Sequence, residues 1–205
     1  MSHVHLPSHA FGVNGMVGSS CFGPMFQLLI LSGARRDEIA ALRWSEIKDD
    51  TIILGRERTK AGEGHSIPLA PAVLDIIRGL PRIGDSDFVF TTNGRTPVSG
   101  FSKIKKRLDS LTKIPPWRTH DLRRVVATGL QRIGINLQVI EAVLGHVGGS
   151  RSGIVGVYQR HSFDAEKRIA LDGRVKSSAS LAANRPKCCR CGGQSDSSLR
   201  SAPEA

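Results

Sequence analysis

The stretch at residues 119–146, THDLRRVVATGLQRIGINLQVIEAVLGH, gives the clearest indication of fold in this sequence. Its apolar spacing predicts one helix over about Leu122–Ile133 and a second over about Asn136–Leu144. Gly134 and Gly145 each follow the end of a predicted helix, where a glycine commonly forms the cap. The stretch therefore predicts a pair of helices joined by a short loop, with a histidine before the first helix and another after the second.

More helices are predicted on both sides of this pair. They cover about 24–31, a short segment from Asp37, 71–78, a basic helix capped by Ser99 and ending near Leu111, 152–160 and 164–171. The β-branched run 51–54 and the alternating runs 56–59 and 65–69 predict a small antiparallel sheet, with Lys60 at a hairpin tip. Residues 88–90 are expected to be extended. Because strands do not alternate with helices, the fold class is α+β, mostly helical with a small antiparallel sheet.

Composition divides the chain into three parts. Residues 1–20 combine Gly, Ser, His and Pro without periodicity and are expected to form a poorly ordered leader. Residues 21–173 are expected to form the folded domain, and residues 174–205, rich in Ser, Ala, Gly and Pro, a disordered tail. The apolar run Met25–Leu31 is too short to cross a bilayer and no signal peptide is recognisable, so we expect a cytoplasmic protein.

The charge balance favours a polyanionic partner. The 205 residues include 29 Lys and Arg against 18 Asp and Glu, a formal net charge of +11. Such an excess indicates nucleic acid before a membrane surface. The apolar content excludes a wholly disordered chain, and 4 Cys exclude a disulfide scaffold. Cys188 and Cys191 have the spacing of half a zinc site, but no second pair follows, so no metal is expected.

Several separate clusters carry side chains suited to phosphate chemistry. The candidate catalytic residues are Arg35, Lys60, His120, Arg123, His146 and Tyr158. Taken singly, each has an ordinary explanation, such as a surface ion pair of Arg35 with Glu38. Together, two guanidinium groups can each fork onto the oxygens of one phosphodiester, and the histidines can add hydrogen bonds. Tyr158, the single tyrosine, becomes a nucleophile once a base and nearby cations activate its phenol.

From about Phe22 to Ser162 the sequence resembles the catalytic domain of the tyrosine recombinase, or phage integrase, family. The motifs that carry the resemblance are Ser32–Glu38 followed by Leu42-Arg43-Trp44, Thr59-Lys60-Ala61-Gly62 followed by Ile67-Pro68-Leu69, His120–Arg124, Leu144-Gly145-His146 and Gly156-Val157-Tyr158. One such motif is weak evidence, whereas five in this order are strong evidence.

The resemblance implies a reaction and a partner. Tyr158 would attack a DNA phosphodiester, giving a 3′-phosphotyrosyl link and a free 5′-hydroxyl without ATP, cofactor or metal. Arg35 and Arg123 would clamp the phosphate, with Lys60 as general acid. His120 would act as base, and His146 would support the phosphate. The implied partners are double-stranded DNA and further copies of the chain, as a tetramer on DNA, with no membrane.

The basic residues between Phe101 and Arg124 are not expected to take part in the reaction itself. Those expected to touch distant DNA phosphates are Lys103, Lys105, Lys106, Arg107 and Arg124. A charge run of this kind can equally be a solvated helix face.

Two alternatives stay open. Residues 1–20 do not resemble the helical core-binding domain that usually precedes this catalytic domain, so the chain could be a truncated DNA-binding remnant without recombination activity. A type IB topoisomerase-like enzyme would use the same phosphotyrosine step to relax DNA.

Overall fold

The computed structural model of the chain describes residues 21–60, 62–112, 114–146 and 161–183. Its helices are α1 (Phe22–Ser32), α2 (Arg36–Ala40), α3 (Pro71–Arg78), α4 (Phe101–Leu111), α5 (Asp121–Arg132), α6 (Leu137–Leu144) and α7 (Asp164–Ala183). The strands are β1 (Ile47–Lys48), β2 (Thr51–Leu54) and β3 (His65–Pro68). The predicted α+β class, mostly helical with one small antiparallel sheet, is confirmed. Among the described residues no helix is both long and apolar enough to cross a membrane.

Helix α1 is the centre of the core. Its sequence is apolar on every side, and Met25, Leu28 and Leu31 are almost fully buried. It contacts α2, α3, α5 and α7, so it cannot present a solvated face. Gly33 ends it in the left-handed region at φ 68°, and a Cβ there would lie 3.0 Å from Val126 of α5. The close approach of the two chain segments depends on this glycine.

The three strands form an antiparallel sheet in the order β1-β2-β3, with Ile52 opposite Ile67 and Leu54 opposite His65. Strand β1 was not predicted, because two residues are too few to show a period. The predicted strand over residues 56–59 is wrong. Arg56–Arg58 form a 3-10 helix, because the side chain of Arg58 turns inward to α2 instead of alternating along a sheet.

Most predicted helices are confirmed within two residues, and the short segment predicted from Asp37 is α2. The predicted cap of α4 at Ser99 is wrong, since the residue before the helix is Gly100, at φ 86°. Phe88 is extended and forms a bridge with Arg43, as expected for residues 88–90.

Helix α7 runs to Ala183, well beyond the predicted end at Leu171. The predicted loss of regular structure after Arg174 is therefore wrong for residues 174–183, and the predicted boundary at 173 falls inside a helix. The helix continues because Val175 is buried in the core. The predicted leader and the helix predicted over 152–160 lie outside the described residues, and the division into domains stays a prediction.

Candidate active site

A pocket of about 410 Å³ opens between the start of α2, the start of α5, the turn after α6 and the loop that joins β2 to β3. Its lining includes Arg35, Lys60, His120, Arg123 and His146. The structure therefore brings together five candidate residues that are far apart in the sequence. The sixth, Tyr158, lies outside the described residues.

Arg35 stands at the start of α2 and is held by that helix. The chain is extended there, at φ −73° and ψ 145°. The carboxylate of Glu38, only 3% exposed, accepts a hydrogen bond from the Arg35 main-chain N–H at 2.9 Å and from its Nη1 at 2.8 Å. Nη2 of Arg35 donates to the Gly145 carbonyl at 3.0 Å. The ion pair with Glu38 is thus a partly buried support for the guanidinium.

Arg123, in the first turn of α5, is 6% exposed. Its Nη1 donates to the Gly33 carbonyl at 2.7 Å and its Nη2 to the Leu144 carbonyl at 2.6 Å. Burial, together with the positive charge of Arg35, lowers its pKa to about 10. The group remains a cation at neutral pH, and Arg123 joins the end of α1 to the end of α6.

The turn after α6 supplies acceptors to both arginines. Gly145 has φ 59°, in the left-handed region, so the chain reverses there and the carbonyls of Leu144 and Gly145 meet Arg123 and Arg35. His146 follows, with its Nε2 at 3.3 Å from Nη2 of Arg123. Partial burial and the charges of Arg123 and Arg35 lower the pKa of His146. Because a guanidinium only donates, Nε2 accepts, and the neutral ring carries its proton on Nδ1.

Lys60 and His120 lie at the rim of the pocket, and both side chains are exposed. Lys60 belongs to the β2–β3 loop, and His120 directly precedes α5. Arg36 and Asp37 also line the pocket, and they pair with each other at 2.7 Å. Fixed guanidinium groups, an ammonium and two imidazoles around one opening are donors suited to the oxygens of a phosphate diester.

The basic residues expected to contact distant phosphates do not line this pocket. On α4, Lys103, Lys106 and Arg107 are exposed, whereas Lys105 pairs with Asp109 at 2.6 Å and lies over the ring of Trp117. Arg124 of α5 is exposed and pairs with Asp121 at 3.4 Å.

Sequence reasoning missed the groups that hold the site. The sequence predicts Glu38 only as a surface partner of Arg35, although an acid three residues after Arg35, at the start of a helix, is a capping pattern. His65 is 8% exposed and lies against Gly145, where an added Cβ would be 2.9 Å from its ring. It faces the Ala142 carbonyl, but within the described residues neither ring nitrogen makes a hydrogen bond of normal geometry. No local pattern in the sequence indicates this contact.

The model of the phage integrase family matches residues 20–164 of this chain, more than half of its length. The chain belongs to the phage integrase family. Integrase-family relatives include the prophage integrase IntF of Escherichia coli K12, 30% identical over 126 residues. Another is a tyrosine recombinase of Thermosipho africanus, 27% identical over 146 residues. These matches cover 58% and 69% of this chain respectively.

The integrase-family chain spans only part of these relatives, 27% of IntF and 52% of the Thermosipho recombinase. The prophage integrase IntZ of Escherichia coli K12 is 29% identical over 158 residues, which are 75% of this chain and 39% of IntZ. The catalytic domain of bacteriophage HP1 integrase is a solved structure with a TM-score of 0.49 and 16% identity, covering 86% of this chain and 92% of that one.

Proposed function

We propose that this chain is the catalytic part of a site-specific DNA recombinase that cuts and rejoins DNA through a 3′-phosphotyrosyl intermediate. The observation that carries the proposal is the pocket in which Arg35 and Arg123 are both fixed by carbonyls of the turn after α6, with Lys60, His120 and His146 around them. Membership of the phage integrase family supports it.

In the proposed cleavage step, the phenol oxygen of Tyr158 attacks the phosphorus of one DNA phosphodiester. His120 takes the phenol proton, and the bond from phosphorus to the 5′-oxygen breaks. Lys60 gives a proton to that oxygen, so the products are a 3′-phosphotyrosyl link and a 5′-hydroxyl. Attack by a 5′-hydroxyl of another strand reverses the step and rejoins the DNA. The number of phosphoester bonds is unchanged, so the exchange requires no ATP.

Arg35 and Arg123 would bind the non-bridging oxygens of the phosphate. Negative charge accumulates on those oxygens in the transition state, so donors fixed in advance stabilise it more than the ground state. His146 would add a hydrogen bond from Nδ1, the nitrogen left to carry the proton when Nε2 accepts from Arg123. The supports, Glu38 and the carbonyls of Gly33, Leu144 and Gly145, keep these donors from reorganising during the reaction.

We further propose that the chain acts in the cytoplasm on double-stranded DNA, as a homotetramer assembled on two DNA segments. The net charge of +11 supports a DNA partner. Lys103, Lys106 and Arg107 on α4 would contact backbone phosphates outside the pocket, which positions DNA without reading its sequence.

The test uses nicked suicide duplexes made from the DNA that flanks the gene. Wild type should form a covalent protein–DNA adduct that survives denaturing gel electrophoresis, and Tyr158→Phe should form none. Arg123→Lys, which keeps the charge but loses the fork, should reduce adduct formation at least ~100-fold.

The other outcomes separate the alternatives. A shifted band with no adduct from wild type would indicate a DNA-binding remnant. An adduct with relaxation of supercoiled plasmid but no joined recombinant product would indicate topoisomerase-like activity. Equal adduct from wild type and Tyr158→Phe would show that Tyr158 is not the nucleophile.

A further inference from the structure

The loop that carries Lys60 is fastened at its base by a side chain that no part of the proposed reaction uses. Arg58 lies two residues before Lys60, in the 3-10 helix Arg56–Arg58. Its neighbours Arg56 and Glu57 are exposed, whereas the Arg58 side chain is only 21% exposed. A long charged side chain that turns inward in this way must have a partner that holds it there.

That contact is with the end of α2 and with Glu46. Nε of Arg58 donates to Glu46 Oε1 at 2.6 Å, and Nη2 donates to Glu46 Oε2 at 3.2 Å. Nη2 also donates to the carbonyls of Ala41 at 2.6 Å and Glu38 at 3.3 Å. The last carbonyls of a helix have no partner within it, so Arg58 satisfies the end of the short helix whose first residues hold Arg35.

The other hydrogen bonds of the loop join residues of the loop to each other. Thr59, 8% exposed, donates its hydroxyl hydrogen to the Glu63 carbonyl, and the Gly62 N–H donates to the Thr59 carbonyl at 3.2 Å. Lys60 therefore sits in a closed turn whose orientation relative to α2 is fixed through Arg58. Without the contacts of Arg58 with Glu46 and α2, the turn would keep its internal hydrogen bonds but lose its connection to the arginine pocket.

We infer that Arg58 is a positioning residue that holds Lys60 over the leaving 5′-oxygen by fastening the loop to α2. The effect of Arg58 on proton transfer from Lys60 rests on the proposed function, whereas its effect on the position of the loop does not. The proton that Lys60 gives to the 5′-oxygen must be delivered as the bond from phosphorus breaks, so a displaced ammonium slows that step without weakening the phosphate clamp.

The first experiment measures position without activity. Hydrogen–deuterium exchange of the full chain compares wild type with Arg58→Met and with Arg78→Met. Arg78 is a matched control, a 72% exposed arginine of α3 paired with Asp75. Residues 55–64 should exchange at least ~10-fold faster in Arg58→Met and at the wild-type rate in Arg78→Met. Unchanged exchange of this loop in Arg58→Met would overturn the inference.

The second experiment asks whether the defect passes through Lys60. The leaving 5′-oxygen of the mapped cleavage site is replaced by sulfur, which departs as a thiolate and needs no proton. Arg58→Met and Lys60→Met should both cleave the oxygen substrate at least ~10-fold slower than wild type, and both should recover to within ~3-fold on the sulfur substrate. Arg35→Lys should be slow on both.

Equal slowing of Arg58→Met on both substrates would show that it acts through Arg35 or the fold, and wild-type rates on both would show no role. If Arg58→Met does not fold, Glu46→Gln removes the negative charge and one of the two oxygens that bind Arg58 while keeping every residue of the loop, and the same selective recovery is required of it. If wild type cleaves neither substrate, the proposed function fails, and the exchange experiment still decides on Arg58.

Discussion

Main-chain carbonyls, more than carboxylates, orient the two arginines of the pocket. Arg123 is held by the carbonyls of Gly33 and Leu144, and Arg35 by one carboxylate and the carbonyl of Gly145. A carbonyl orients a guanidinium and leaves its charge in place, whereas a carboxylate would cancel that charge. The pocket therefore keeps an excess of positive charge, which adds to the effect of burial in lowering the pKa values of Arg123 and His146. A bound phosphate would relieve the same repulsion.

His65 allows a test of this buried layer by pH. Burial lowers its pKa from 6.5 to about 4, against the opposing influence of Glu38. The unfolded chain binds a proton near pH 6.5 and the folded chain does not, so stability is full above pH 6.5 and falls as the pH drops toward 4. Relative to His65→Leu, wild type should lose about 2 kcal/mol of unfolding free energy between pH 7.5 and pH 5, measured by urea denaturation.

A constant difference between wild type and His65→Leu across this range would mean that His65 accepts a proton in the folded chain as readily as in the unfolded one.

At the scale of elements, the turn after α6 determines whether the arginines meet. Gly145 needs its left-handed φ and also its missing side chain, because an added Cβ would lie 2.9 Å from His65. Gly134, after α5, has φ 82° and open space around it. Gly134→Ala should cost about 1 kcal/mol of unfolding free energy through backbone strain alone. Gly145→Ala should cost at least ~1 kcal/mol more and reduce adduct formation at least ~10-fold, because the carbonyl bound to Arg35 must move.

Urea denaturation and the adduct assay on both variants check this expectation. Equal stability losses at the two glycines would show that the ring of His65 yields freely, and the turn would then need no close packing.

Periodicity and cap residues were enough to predict α5, α6 and the glycines that end them, because those signals are local. The 3-10 helix at Arg56–Arg58 could not be predicted in this way, since the alternation that suggested a strand is overridden by contacts of Arg58 with α2. The contact between the Gly33 carbonyl and Arg123 could not be predicted either, because it joins residues far apart in the sequence. A family resemblance indicated which side chains are candidates for one site, but the groups that hold them are main-chain atoms and buried residues with no motif of their own.

At the scale of the whole molecule, α7 fastens the sheet to the helical core. Lys167, 4% exposed, donates to the Ser66 carbonyl at 3.0 Å and pairs with Asp164 at 2.7 Å. Arg168 forms a two-pronged ion pair with Asp50, at 2.6 and 2.8 Å, beside the turn between β1 and β2. These contacts all lie in the first two turns of the helix, so its first half docks to the sheet through charge.

Past residue 173 the helix is held by the buried Val175 and Arg174, and this part carries the last prediction. A chain that ends at residue 173, the boundary suggested by composition, lacks Val175, which is 4% exposed, and Arg174, which packs against Gly129. Loss of Val175 should lower the free energy of unfolding by about 2 kcal/mol. Removal of the buried Arg174 Nε, which has no hydrogen-bond partner among the described residues, should offset part of that loss. We expect the chain ending at 173 to melt about 3–6 °C below one ending at 183 by calorimetry, since the net loss is somewhat smaller than the valine term. Full-length Val175→Ser should show a loss of similar size, because it removes the same apolar contact while keeping the helix. Equal melting temperatures for the two shortened chains would instead place the edge of the stable core at residue 173, with the rest of α7 contributing nothing to it.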